Sequence, residues 1–142
     1  MRLLDVNVLV NAHRREAVDH KAYRAFVDDL VHGDEAYAVS DFVINGFVRV
    51  VTNRRVWGPP SSIEEALRFG EVMRNQPHAV VIAPGPRFWG IFSRLCRQID
   101  AKANLVPDAY LAALAIEHGC EFVTADRDFV RFPGLRWRHP LN

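Results

Sequence analysis

Four aspartates have the side-chain type and the placement to do chemistry together. Asp5 closes the apolar run Leu3-Leu4 near the N-terminus. Asp108 follows Pro107 at the head of an apolar helical segment. Asp126 and Asp128 come directly after the run Phe122-Val123-Thr124. Carboxylates packed together repel one another, and their pKa values rise unless a cation is present. A hard divalent ion such as Mg2+ or Mn2+ removes that penalty, taking one or two carboxylates plus water and substrate phosphate oxygens. An ion held this way activates a water and neutralises charge on a phosphodiester during in-line attack. No Ser/His/Asp or Cys/His set competes for the role, and none of the six histidines has a zinc spacing.

Simpler roles exist for each acid. Asp108 at a helix start also serves as a cap or dipole partner. Asp126 and Asp128 are natural turn formers. Asp5 is the hardest to explain in those terms, because it ends an apolar strand. Asn7 is expected to brace the loop around Asp5, and Thr124 the turn at Asp126. Asp41 reads as an N-terminal cap residue.

The elements that would bring these acids together alternate between strand and helix. Leu3-Leu4 predicts a strand and Val6–Ala12 a helix. His20–Val31 is amphipathic, with Tyr23, Phe26, Val27 and Leu30 at helical spacing, and Gly33 stops it. Tyr37–Val39 predicts a strand, and Ser40-Asp41 caps a helix through Val51. Asn53 to Pro60 is a loop. Ser62 and Glu65 form a capping box for the helix Ile63–Arg74. Val80–Ile82 lacks polar alternation and is expected to be buried on both faces. A helix over Pro86–Ile99, a loop to Val106, a helix over Ala109–His118 and a strand at Phe122–Thr124 follow. Trp137 marks a last edge strand. This order predicts a three-layer α/β/α fold with a mostly parallel central sheet. Sites in such sheets lie at the carboxyl ends of the strands, where Asp5 and Asp126 fall.

Composition narrows the class. At 142 residues the chain predicts one domain spanning 1–142, and 49% hydrophobic with 25% charged residues is an ordinary globular profile. The apolar runs are too short to span a bilayer, so no membrane role is expected. Eighteen basic against seventeen acidic residues give +1, so no global positive field argues for nucleic acid. Only Lys21 and Lys102 are lysines, and the other basic residues are arginines. Cys96 and Cys120 lack metal spacing and read as reduced thiols of a cytoplasmic protein.

Several segments resemble a known family. Leu4-Asp5-Val6-Asn7-Val8-Leu9 resembles the opening motif of PIN-domain nucleases. Pro107-Asp108-Ala109-Tyr110-Leu111 resembles their third-acid helix, and Phe122-Val123-Thr124-Ala125-Asp126-Arg127-Asp128 their final acidic turn. Gly46-Phe47-Val48-Arg49-Val50-Val51 is similar to the second helix of VapC-type toxins of bacterial toxin–antitoxin pairs. The resemblance implies an endoribonuclease dependent on Mg2+ or Mn2+, with Asp5, Asp108 and Asp126 as catalytic acids and metal ligands and Asp128 as a further ligand. It implies a homodimer held in check by a VapB-like antitoxin, for which the apolar face of His20–Val31 is a candidate groove, with core packing expected for most of that stripe. Arg14, Arg15, Arg49, Arg54, Arg55 and Arg127 are candidates to meet RNA phosphates. Trp57, Trp89 and Trp137 are expected to be packing residues, and Trp57, in its Gly-Pro-Pro loop, is also a candidate to stack on a base. One departure matters: where most of the family carries a glutamate in the second helix, this chain has Gly46. That keeps open a PIN-like module that binds RNA or a partner without cutting. A magnesium-dependent phosphatase is the other alternative. It would want a second acid where Asn7 stands, and a lysine after a strand.

Overall fold

A computed structural model describes all residues from 1 to 142. Five strands form one all-parallel sheet in the order β3-β2-β1-β4-β5. They are β1 (Arg2–Leu4), β2 (Tyr37–Ser40), β3 (Ala79–Ile82), β4 (Glu121–Val123) and β5 (Trp137–Arg138). The helices are α1 (Val6–His13), α2 (His20–His32), α3 (Asp41–Val51), α4 (Ile63–Arg74), α5 (Phe88–Ile99) and α6 (Leu105–Glu117). A 3-10 turn over Arg127–Arg131 completes the chain. The result is the α/β/α sandwich expected from the alternation of elements.

Strand order places the site. The chain lays down β1, β2 and β3 in one direction, then returns to add β4 on the other side of β1. The two strands flanking that reversal send their connections apart, leaving a crevice at their carboxyl ends. Register pairs Leu4 with Val123, and the Asp5 amide extends the ladder to the Val123 carbonyl at 2.9 Å. Asp5 and the turn after β4 therefore open onto the same crevice.

Local signals explain most boundaries. Ser62 Oγ accepts from the Glu65 amide at 3.1 Å, and Glu65 Oε1 accepts from the Ser62 amide at 3.4 Å, closing the capping box at α4. Ser40, rather than Asp41, caps α3. Asp41 is the first helical residue, and its carboxylate is taken by Arg74 at 2.7 and 3.2 Å. α6 begins at Leu105, two residues before Pro107. Proline is harmless there because first-turn amides have no helical partner. α5 begins at Phe88 rather than Pro86.

One expectation is corrected by tertiary context. β3 is not buried on both faces: it is the sheet edge, and Val80 and Val81 are 40% and 47% exposed. The strand covered throughout is β2, whose four residues are all buried. An apolar run alone does not distinguish an interior strand from an edge one. The stripe on α2 is core for the most part, as its apolar spacing suggested. Tyr23, Val27 and Leu30 are buried and Phe26 is half-buried, so little of it is free to receive a partner.

The C-terminal end of α6 is latched to the loop before α5 by a buried carboxylate. Glu117 accepts the Gly85 amide at 2.8 Å and the Arg87 amide at 2.9 Å. Burial pushes this carboxyl up, and the two amides with the charges of His118 and Arg87 more than offset that, so it sits below its ordinary value. A carboxyl depressed on folding contributes stability above its unfolded pKa and loses it as pH falls through its folded one. We expect Glu117→Gln to destabilise the fold by about 2 kcal/mol at pH 7, the scale of hydrogen bonds to a charged group. Thermal denaturation should show the gap between variant and parent closing on acidification below the ordinary glutamate range.

Candidate active site

The crevice is a cavity of about 550 Å3 lined by Asp5, Asp108 and Asp126, with further walls from α1, α3 and α6. Three of the four aspartates singled out in the sequence thus share one pocket. Asp128 does not line it. Its carboxylate is exposed and lies 3.9 Å from Arg131.

Asp5 is held by a closed hydrogen-bond network. It is the N-cap of α1, and its Oδ1 accepts the Val6 amide at 2.7 Å. Its Oδ2 accepts the Thr124 hydroxyl at 2.7 Å and the Asn7 amide nitrogen at 3.1 Å. The Thr124 oxygen in turn accepts from Asn7 at 3.2 Å and from the Asp126 backbone at 3.0 Å. Asn7 Oδ1 accepts the Ala125 amide at 3.1 Å. Thr124 is fully buried, and here its hydroxyl uses its one donor and both acceptor positions. Asn7 and Thr124 have the bracing roles their positions suggested. Asp126 doubles as a turn former, since its Oδ1 accepts the Asp128 amide at 2.9 Å.

Electrostatics in the pocket are those of crowded acids. Burial lifts the Asp5 carboxyl above its usual value. Hydrogen bonds from Thr124, Val6 and Asn7 pull it back, and the Asp126 charge adds to the rise. The Asp108 carboxyl is pushed up to about 6, first by burial and then by the charges of Asp5 and Asp126. Arg131 opposes the rise and Asp128 adds to it. Arg131 was not singled out from the sequence, because its neighbourhood with Asp108 is purely tertiary.

Of the arginines named as phosphate contacts, only Arg49 lines the pocket, and its guanidinium makes no internal hydrogen bond or ion pair. Arg14 is corrected. It is buried, bonds Glu16, Ser61 Oγ at 3.0 Å and the Pro59 carbonyl at 2.7 Å, and lies over the Trp57 ring at 4.9 Å. Its fork is spent tying the 53–60 loop to α1, and Trp57 is half-buried beneath it rather than free to stack. Arg15, Arg54, Arg55 and Arg127 are exposed outside the pocket wall. Asn11 and Asn45 also line the cavity; nothing in the sequence marked them, because amides at helical spacing carry no distinctive pattern.

Gly46 lies on the pocket wall, where a family glutamate was expected. A Cβ there would sit 2.8 Å from Val6 Cγ2. The glycine lets α3 approach the head of α1, which carries Asp5. No group of three or more His, Cys, Asp or Glu side chains converges closely enough to hold an ion by protein ligands alone.

The model of the PIN domain family matches residues 2–135, and the chain belongs to the PIN-domain family. Within that family it falls among the VapC ribonucleases. It is 44% identical over 142 residues to ribonuclease VapC43 of Mycobacterium tuberculosis, covering 100% of this chain and 97% of that one. It is 41% identical over 140 residues to ribonuclease VapC25 of the same organism, covering 99% of each. The structure matches VapBC2 of Rickettsia felis, solved bound to a DNA fragment from its promoter, with a TM-score of 0.72 over 97% of both chains. At 17% identity that likeness speaks for the fold alone.

The Gly46 contact is testable by a double-mutant cycle. In an open helix Gly→Ala is stabilising by up to about 1 kcal/mol. Here we expect Gly46→Ala to destabilise by about 1–3 kcal/mol, the usual scale of overpacking. Val6→Ala should remove most of that loss in the double variant. Urea denaturation of the four proteins checks it, and additive effects would mean Val6 is not the obstacle.

Proposed function

We propose that the crevice is the catalytic centre of a divalent-metal-dependent endoribonuclease acting as the toxin of a toxin–antitoxin pair. The observation that carries the reading is the pocket shared by Asp5, Asp108 and Asp126, with an uncommitted Arg49 on the same wall; burial, and then the neighbouring carboxylates, push Asp108 up to about 6. Repelling carboxylates of this kind are what a hard cation relieves. The oxygen-only donor set fits Mg2+ or Mn2+. Such an ion binds through one or two carboxylates and keeps several waters, so three converging acids are not required. Asp5 and Asp108 are the residues we assign to hold it, with Asp126 as a further acid and Asp128 at the margin. A bound ion would supply charge neutralisation at the phosphodiester and a more acidic water.

The chain's own residues do the rest. Thr124 and Asn7 keep Asp5 aimed into the crevice. Asp126, fixed by its turn, keeps the site anionic. Arg49 meets a phosphate oxygen and offsets its charge, which gives affinity without sequence choice. The full-length VapC relatives supply the substrate class, RNA. The Rickettsia felis protein of the same fold is VapBC2, and a VapB-like antitoxin is the partner we assign here. No helix is long and apolar enough to cross a membrane. Gly46, which withholds one carboxylate, favours a second reading in which the pocket binds RNA and cuts it weakly or not at all.

Two measurements test this. Asp5→Asn and Asp108→Asn keep side-chain shape while removing charge. Each should lower Mg2+-dependent RNA cleavage by at least a hundredfold, about 2.7 kcal/mol in the barrier, with the far-UV circular dichroism unchanged. A variant that cuts at the parent rate excludes that residue from the site, and no metal response in the parent supports the second reading. Expression of the chain alone should slow growth, and co-expression of the neighbouring antitoxin frame should restore it. Normal growth with abundant folded protein would count against a toxin.

A further inference from the structure

The tail of α1 is closed by a hydrogen-bond chain that lies outside the acidic pocket. His13 is the last residue of α1, and its Nε2 is 2.9 Å from Ser61 Oγ. Arg14 Nη1 donates to the same oxygen at 3.0 Å, and Ser61 and Arg14 are both buried. The Ser61 amide donates to the Val51 carbonyl at 2.8 Å, so the chain ties α1 to the end of α3 and to the head of α4. The His13 ring sits between Phe47 of α3 and Phe69 of α4, with centroids 5.3 and 5.1 Å away.

Donor counting fixes the protons. A guanidinium has donors only, so Ser61 Oγ accepts from Arg14. The Ser61 hydroxyl proton then has one acceptor in reach, His13 Nε2. His13 is therefore neutral, with its own proton on Nδ1. Protonation would turn Nε2 into a donor and leave the buried hydroxyl proton without an acceptor, a costly loss. It would also set a second cation beside Arg14. Burial first, and then the Arg14 charge, hold this imidazole below its ordinary value. Glu65 of α4 and Glu16 act against them, and Arg24 of α2 acts with them. Arg68 of α4, with Asp28 and His32 of α2, lines the same cavity beside the ring. The carboxylates there are already engaged: Glu65 by the Ser62 amide, Glu16 by Arg14 and Asp28 by Arg24.

We propose that the His13–Ser61–Arg14 chain is an acid-released catch: neutral His13 holds the tail of α1 to the head of α4 through Ser61, and protonation of His13 opens it. The effect reaches the pocket through α1 itself, because that eight-residue helix is capped by Asp5 at its other end. The catch works in the same way whatever the pocket binds. An imidazole depressed on folding takes up its proton more readily in the unfolded chain. The stability it guards is therefore complete above the ordinary histidine value, about 6.5, and is lost as pH falls below it toward the folded value.

The full chain is examined without added metal, so that pocket occupancy does not change with pH. Imidazole nitrogen NMR of the parent should show His13 Nε2 unprotonated at neutral pH and the ring titrating below the free-histidine value. Hydrogen exchange at the Ser61 amide, corrected for its intrinsic rate, should speed up severalfold on mild acidification. His13→Gln keeps an acceptor oxygen for the Ser61 hydroxyl and cannot be protonated in this range. Its Ser61 exchange should stay constant over the same window, and its stability should fall less steeply than the parent's. Glu117 and the pocket aspartates titrate alike in both proteins, so the difference isolates His13. Ser61→Ala removes the proton donated to Nε2 and should move the His13 titration up toward the free value. A parent ring that titrates at or above the free value, or carries its proton on Nε2 at neutral pH, overturns the catch. So does Ser61 exchange that accelerates equally in parent and His13→Gln. Should His13→Gln fail to fold, the parent spectra and the Ser61→Ala titration decide alone, and an unmoved titration in Ser61→Ala overturns the catch.

Discussion

The buried hydroxyl of Thr124 joins two segments that the chain would otherwise send apart. It ends β4, and it donates to Asp5 at the end of β1. Those two strands flank the reversal in sheet order, so their onward helices leave in different directions. An isolated carboxylate buried there would cost several kcal/mol. Donors from Val6, Asn7 and Thr124 make it tolerable, and the Thr124 oxygen also accepts the amide of Asp126. One hydrogen-bonded knot thus fixes the first acid, the last acid and the β1–β4 crevice together.

Charge accounts for what the pocket lacks as much as for what it holds. Elsewhere the charges neutralise one another: Arg74 with Asp41, Arg24 with Asp28, Arg14 with Glu16. In the crevice they do not. Asp5, Asp108 and Asp126 line one pocket, and burial with the neighbouring carboxylates pushes Asp108 up to about 6. A cation placed there would lower the energy of the crowded carboxylates, whereas a bare anionic phosphate would raise it.

Close backbone approach sets the width of the crevice. Gly46 brings α3 onto Val6, the first residue of the helix that Asp5 caps. The far end of α1 is pinned differently, by Arg14 reaching Ser61 and Pro59 across the loop. α1 is only eight residues long, too short to be stable by its own hydrogen bonds. Its position, and so the position of Asp5, depends on these two tertiary clamps.

The sequence by itself determined the elements and the acids. Periodic apolar residues, the Ser62–Glu65 box and the run Leu3-Leu4-Asp5 are local signals, because helix and strand hydrogen bonds and caps act over a few residues. Asn7 and Thr124 were legible as braces because each stands two residues from an acid. Only the tertiary structure decided which side chains are free. Arg14 and Arg49 are the same residue type on neighbouring helices, yet one is consumed by a loop and the other faces the pocket. Val80 and Val81 read as interior until the sheet order put β3 at the edge. Gly46 read as a missing acid, and the structure adds that Val6 leaves no room for a side chain there. Those outcomes depend on partners tens of residues away or on another element's face, and no short window of sequence contains them.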